Sequence, residues 1–118
     1  MRIGVYQPSQ RSSLIDLLIE LAEYYDTAQR ATRSEVAAHL DDTVTAPNSP
    51  ITLVTAEVSE GRIVGLAALM VMPSILEAVG PHRLQCNLKE LFVTQLHRST
   101  GVGSSLLRWS ARFAIERG

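Results

Sequence analysis

The sequence is short of several things, and each shortage excludes a class of answer. It has one cysteine, Cys86, in 118 residues, so neither an internal disulfide nor a cysteine-based metal cluster can form. A lone thiol suits a reducing compartment, and a cytoplasmic location is expected. Excess charge is also missing. The net charge is −1, so no whole-molecule field draws the chain to nucleic acid or anionic lipid, and neither is an expected partner. No apolar run is long enough to span a bilayer, and the opening MRIGVYQPSQ lacks the apolar core of a signal peptide. Repeats, low-complexity tracts and linkers are absent, so residues 1–118 are expected to form one domain. The 46% hydrophobic content is enough for a modest core.

The patterning predicts β-α-α-β-β-β-α. RIGVY (2–6) alternates weakly and stops at Pro8, as a short strand would. Ser9, Ser12 and Ser13 offer capping hydroxyls to a helix whose Leu14, Leu17, Leu18, Leu21 and Tyr25 recur at three- and four-residue steps. Thr32 stands three residues before Glu35 as a capping box for the short helix TRSEVAAHL, which TAPNSP (45–50) ends. That helix alone would also suit a helix-turn-helix, but no basic recognition helix follows it at turn spacing. ITLVTAEV (51–58) and RIVGLAALMVM (62–72) flank a tight turn and predict an antiparallel hairpin. The second run is apolar on both faces, as a central strand would be, and Gly65 within it marks a bulge or a close approach of backbone. SILEAVGPHRL reads as loop with a helical turn, NLKELFVT (87–94) as a third long strand, and 103–118 as a helix. A mixed, largely antiparallel α/β (α+β) sheet with helices packed on it is expected.

The junction LFVTQLHRSTGVGSSLL (91–107) carries chemistry. A helix starting near Gly103 offers unpaired N–H groups and a partial positive charge, which suit a phosphate. Gly101 and Gly103 lack the β-carbons that would hold a pyrophosphate away. Arg98 adds a positive charge, and Ser104 and Ser105 add hydroxyl donors. Leu106 stands where a dinucleotide-binding loop needs its third glycine, and no G-K-[ST] follows, so neither nucleotide loop fits.

LKELFVTQLHRSTGVGSSLLRWSARFAIERG resembles the acetyl-CoA-binding segment of the GNAT N-acetyltransferases, a strand followed by [QR]-x-x-G-x-[GA] and a helix. Arg98, Gly101 and Gly103 fill its three defined positions. The GRIVGLAAL strand (61–69) and the order of elements are similar as well, so the resemblance covers nearly the whole chain. It implies a GNAT-like fold and transfer of acetyl from acetyl-CoA to a primary amine by direct attack, with no metal. Carried over, the loop Arg98, Ser99, Thr100, Gly101, Val102, Gly103 and Ser104 would hold the CoA pyrophosphate. Leu91, Phe92 and Val93 would meet the pantetheine arm through main-chain groups, one N–H polarising the thioester carbonyl. Glu90 matches a glutamate that often acts as base; its plain alternative is an edge charge beside Lys89. Tyr24, Tyr25 and Asp26 lie in the segment that sets acceptor choice, where they could line a pocket for a cationic amine or simply be solvated.

Other residues have plainer readings. His39, His82 and His97 make no ligand spacing. Cys86, Trp109 and Phe113 are expected in packing roles. The chain departs from the family pattern at Thr94 and Gln95, where a proline often stands. It also stops where members usually continue into a second cleft wall and a tyrosine acid; Tyr6, Tyr24 and Tyr25 all lie near its start. A truncated product, an incompletely ordered chain or a second copy covering strand 87–94 would each account for this, and a homodimer is expected from the bare strand edge. The same departure leaves open a non-catalytic or weakly CoA-binding interaction module.

Overall fold

The computed structural model describes residues 1–25, 31–80 and 83–117. Its elements follow the expected order: β1 (Arg2–Val5), α1 (Arg11–Tyr24), α2 (Arg33–His39), β2 (Ile51–Ser59), β3 (Arg62–Pro73), β4 (Leu84–Val93) and α3 (Val102–Arg117). The strands form one antiparallel sheet in the order β1-β2-β3-β4.

Alternation along the strands supplies a core on each face of the sheet. Helices α1 and α2 close one face, where Leu14, Ile15, Leu17 and Leu40 meet Leu53, Ile63, Leu66 and Phe92. Helix α3 closes the other, bringing Val102 and Leu106 onto Val54, Ala56, Val64, Ala67 and Leu69. Strand β3 is inner, with buried residues on both faces, as its two-sided apolarity predicted. The close approach at Gly65 is also present. A β-carbon there would stand 3.0 Å from Leu106 Cδ1 and 3.1 Å from Val102 Cγ1, so this glycine lets α3 lie flat on the sheet.

The Thr32–Glu35 capping box forms as the spacing predicted, with Thr32 N–H donating to Glu35 Oε1 at 2.8 Å and Glu35 N–H to Thr32 Oγ1 at 3.2 Å. Of the serines expected to cap α1, Ser12 and Ser13 lie within its first turn, and the N-cap position is Gln10, with no side-chain cap hydrogen bond. Pro8–Gln10 forms a 3-10 turn, and the Gln10 side chain reaches back to accept from Gln7 N–H at 3.0 Å. Ser13 instead ties α1 to the sheet by accepting from Ile63 N–H at 2.9 Å. Strand β4 starts at Leu84, three residues before the predicted Asn87, because its ladder with β3 runs on to Pro73. Among the described residues, 74–80 and 83 hold no helical turn.

Gln10 is also the hub of a buried polar network. Its Oε1 accepts from Thr55 Oγ1 at 2.9 Å, and its amide donates to Glu57 Oε1 at 2.9 Å, while Arg2 pairs with Glu57 Oε2 at 2.6 Å. The Gln10 hydrogen bond, helped by the Arg2 charge, holds the Glu57 carboxyl below the ordinary carboxylate range against the opposing pull of burial. A depressed folded-state pKa contributes stability that is present above the unfolded value and lost as pH falls through the folded one. Melting temperature measured against pH is therefore expected to drop on the acid side, and Glu57→Gln is expected to flatten that limb. An unchanged acid limb in the variant would remove Glu57 as its cause.

Candidate active site at the edge of β4

Strand β4 carries a bulge. Ala68 pairs with Glu90 and Leu69 with Leu88, so Lys89 is the extra residue. The bulge shifts the side-chain phase by one. Leu88 lies opposite Leu69, on the α3 side, while Glu90 and Phe92 lie opposite Ala68 and Leu66, on the α1/α2 side. Glu90 is thereby aimed at the groove between those helices and the sheet, which it helps to line.

The main chain beyond the bulge has a definite polarity. Thr94 N–H donates to Val64 O at 2.8 Å, which makes Val93–Gly65 a non-hydrogen-bonded pair. By alternation, Leu91 and Val93 direct their N–H and C=O groups to the outer edge, and Phe92 directs its own toward Leu66. Of the three residues expected to offer main-chain contacts, Leu91 and Val93 can do so. Phe92 contributes a buried ring instead.

Between β4 and α3 the chain makes a 3-10 turn at Gln95–His97, then passes through two left-handed residues, Ser99 (φ 65°) and Gly101 (φ 88°). Thr100 Oγ1 closes this turn onto His97 O. Arg98, ahead of these two residues, is extended, and Gly101 leads directly into α3. Ser105 N–H is bonded to Gly101 O at 3.0 Å. The N–H groups of Val102, Gly103 and Ser104 precede it in the first turn, where no intrahelical acceptor exists. Gly101 is required by its backbone conformation. At Gly103 a β-carbon would meet only Val93 Cγ2, at 3.8 Å, so nothing inside the fold demands glycine there.

Arg98 lies over the end of β4. Its Nε donates to Val93 O at 3.0 Å, and its guanidinium sits 5.1 Å from the Tyr24 ring centroid and 5.3 Å from that of Phe92. Its charge is thus held at the strand edge, with Val93 C=O engaged. Tyr24 stands edge-on to Phe92 at 5.7 Å.

The acetyltransferase (GNAT) family model matches residues 14–118. The chain belongs to the GNAT family. Its fold is similar to that of an integron cassette protein from the mobile metagenome of V. cholerae (TM-score 0.78, 24% identity, 98% of this chain and 70% of that one). It is also similar to a ribosomal-protein-alanine N-acetyltransferase from Brucella melitensis biovar Abortus (TM-score 0.77, 20% identity, 98% and 73%). A glucosamine-6-phosphate N-acetyltransferase from Arabidopsis thaliana gives TM-score 0.72 at 16% identity, over 99% and 76%. At these identities the likeness establishes the fold. No curated protein sequence matches the chain.

Two contacts of this GNAT domain had no signal in the sequence. Tyr25 Oη donates to Glu90 Oε1 at 3.0 Å, across 65 residues of chain. Glu20, on the polar side of α1, accepts from Thr94 Oγ1 at 2.7 Å and from Gln95 N–H at 3.1 Å, pinning the start of the β4–α3 connection. Only a pairing of α1 with the end of β4 could have revealed either. Asp26 and His82 lie outside the described residues. Among the described residues no three His, Cys, Asp or Glu side chains gather as a metal site, and no helix is long and apolar enough to cross a membrane.

The hydrogen bond to Glu90, reinforced by the carboxylate's charge, raises the Tyr25 pKa above its ordinary value. Tyr25 therefore stays a neutral donor to Glu90 across the physiological range. The contact contributes to stability below the unfolded tyrosine pKa and is lost as pH rises through the folded one. In an ultraviolet phenolate titration, Glu90→Gln is expected to bring one tyrosine down toward its ordinary value. Superimposable titrations of the two proteins would show that the contact is not formed in solution.

Proposed function

We propose that this chain transfers an acetyl group from acetyl-CoA to a primary amine by direct attack. The observation that carries the reading is the run of one continuous segment from Glu90, through the outward N–H groups of Leu91 and Val93, to the unpaired N–H groups of Val102, Gly103 and Ser104. These residues fit acetyl-CoA: Gly103 is open where a β-carbon would be tolerated by the fold, and the helix N-terminus favours an anion. Acetyl-CoA supplies the activated acyl carbon. The residues from Ser99 to Ser104 hold its pyrophosphate, with Arg98 at the entrance to the strand edge. Leu91 through its N–H and C=O, and Val93 through its N–H, bind its arm, and these N–H groups stabilise negative charge on the thioester oxygen. Glu90 takes the proton that the amine must lose, directly or through water. Tyr25 orients the Glu90 carboxylate, and with Tyr24 it borders the acceptor's approach.

Calorimetric titration with acetyl-CoA, followed by a liberated-thiol assay over an amine panel, tests this. Binding with thiol release supports transfer. Binding without release from any amine favours a CoA-binding interaction module, and absence of binding removes the reading. A second copy covering the outer edge of β4 ahead of the bulge is part of the same proposal, because that edge and the neighbouring Met72 and Leu88 are exposed. Size-exclusion chromatography with light scattering is expected to show a dimer; a clean monomer at micromolar concentration counts against it. The single thiol of Cys86 suits the cytoplasm.

A further inference from the structure

The groove that Glu90 enters has an unexpected lining for a site taking a cationic substrate. It is a half-open trough of about 370 Å³ between α1, α2 and the sheet. Leu18 and Leu21 of α1 form one wall, Val36 of α2 and Val44 another, and Leu53 and Ala68 the sheet floor. Among the described residues its lining includes only three ionisable side chains, Glu35, His39 and Glu90. The Glu35 carboxylate is committed to the cap of α2 through Thr32 N–H. Glu35 and His39 are exposed on the α2 rim, Glu90 stands at the β4 end facing Tyr25, and the rest of the described lining is apolar.

We propose that the acceptor is a monoamine carried on an apolar alkyl or arylalkyl group, which lies in this trough with its nitrogen at Glu90. The proposal rests on the transferase reading above and names the substrate class of that site. The volume suits a branched aliphatic or single aromatic group. A second ammonium held among Leu18, Leu21, Leu53 and Ala68 would lose its water, and none of these side chains supplies a counter-charge. The hydroxyls of a sugar would likewise be left without partners. Polyamines and aminosugars are therefore poor acceptors, and amines with hydrophobic substituents are good ones.

The test is a liberated-thiol assay with the full chain, using n-alkylamines from propylamine to octylamine and the diamines of equal length. The specificity constant is expected to rise about fourfold per added methylene until the trough is filled. Each diamine is expected to fall at least about 50-fold below its monoamine. Ala68→Leu, which fills the floor, is expected to move the optimum to shorter amines. A flat series, or diamines accepted as well as monoamines, would overturn the proposal, and this holds on the unaltered chain even if Ala68→Leu fails to fold. If no amine is acetylated, calorimetry with hexylamine and its diamine separates the two ideas. Tighter binding of the monoamine keeps the trough assignment while the transferase reading fails. Binding of neither, or preference for the diamine, overturns the trough assignment itself.

Discussion

Gly103→Asp is expected to weaken acetyl-CoA binding by more than about 100-fold while leaving the melting temperature unchanged or slightly raised. The two effects have opposite signs because they come from different parts of the same helix turn. For the fold, position 103 is the second residue of α3, and its β-carbon direction is open except for Val93 Cγ2 at 3.8 Å. In the first turn the gain from replacing glycine is smaller than the about 0.5–1 kcal/mol of a helix interior, and a carboxylate there gains about 0.3–1 kcal/mol from the helix dipole. For the ligand, the carboxylate occupies the approach to the N–H groups that would hold a pyrophosphate. Like charges about 5 Å apart at an effective dielectric constant of about 20 repel by roughly 3 kcal/mol, more than a hundredfold in affinity. Gly101→Asp is a less clean test, since φ at 101 is 88° and any side chain there strains the turn. Arg98→Glu also releases the end of β4, where the arginine is bonded to Val93 O. Calorimetric affinity alongside thermal melting reads both effects at once. A stable Gly103→Asp variant that still binds acetyl-CoA within about threefold of the parent would end the phosphate-cradle assignment.

Glu90→Gln is expected to lower turnover about 100-fold or more near neutral pH, with acetyl-CoA affinity unchanged. A positioned base contributes about 10²–10⁴-fold. The amide keeps the shape of the side chain and can still accept from Tyr25, so the loss falls on proton removal. The deficit should shrink as pH rises, because the amine then sheds its proton unaided. Turnover against pH for the two proteins, with an acceptor in excess, checks this. Parallel profiles across the whole range would take Glu90 out of the chemistry and leave it as an edge charge beside Lys89.

The fold was legible where its signals are local. Thr32 and Glu35 form a cap because both partners lie within one helical turn, and the β2–β3 hairpin follows from two apolar runs either side of Glu60 and Gly61. Gly65 was readable as a bulge or a close approach, and both occur there: Val64 is the extra residue between the Ala56–Gly65 and Glu57–Ile63 pairs, and α3 packs against the glycine. Ser9, Ser12 and Ser13 misled as caps of α1. The N-cap position is Gln10, which makes no side-chain bond to that helix; its longer side chain is drawn to Gln7 N–H and to the buried Thr55 and Glu57.

By itself the sequence determined the order of elements, the family, and the strand–glycine–helix junction, since periodicity, turn chemistry and motif spacing all act within a few residues. Only the tertiary structure decided what that junction faces. The bulge at Lys89 sets Glu90 and Leu88 on opposite faces, and a one-residue change in pairing is invisible in NLKELFVT. The docking of α1 against the end of β4 brings Tyr25 to Glu90 and Glu20 to Thr94, and it turns Arg98 onto Tyr24 and Phe92. Such contacts join residues far apart in the chain, and their existence depends on register and helix placement that are fixed only once the two cores have packed.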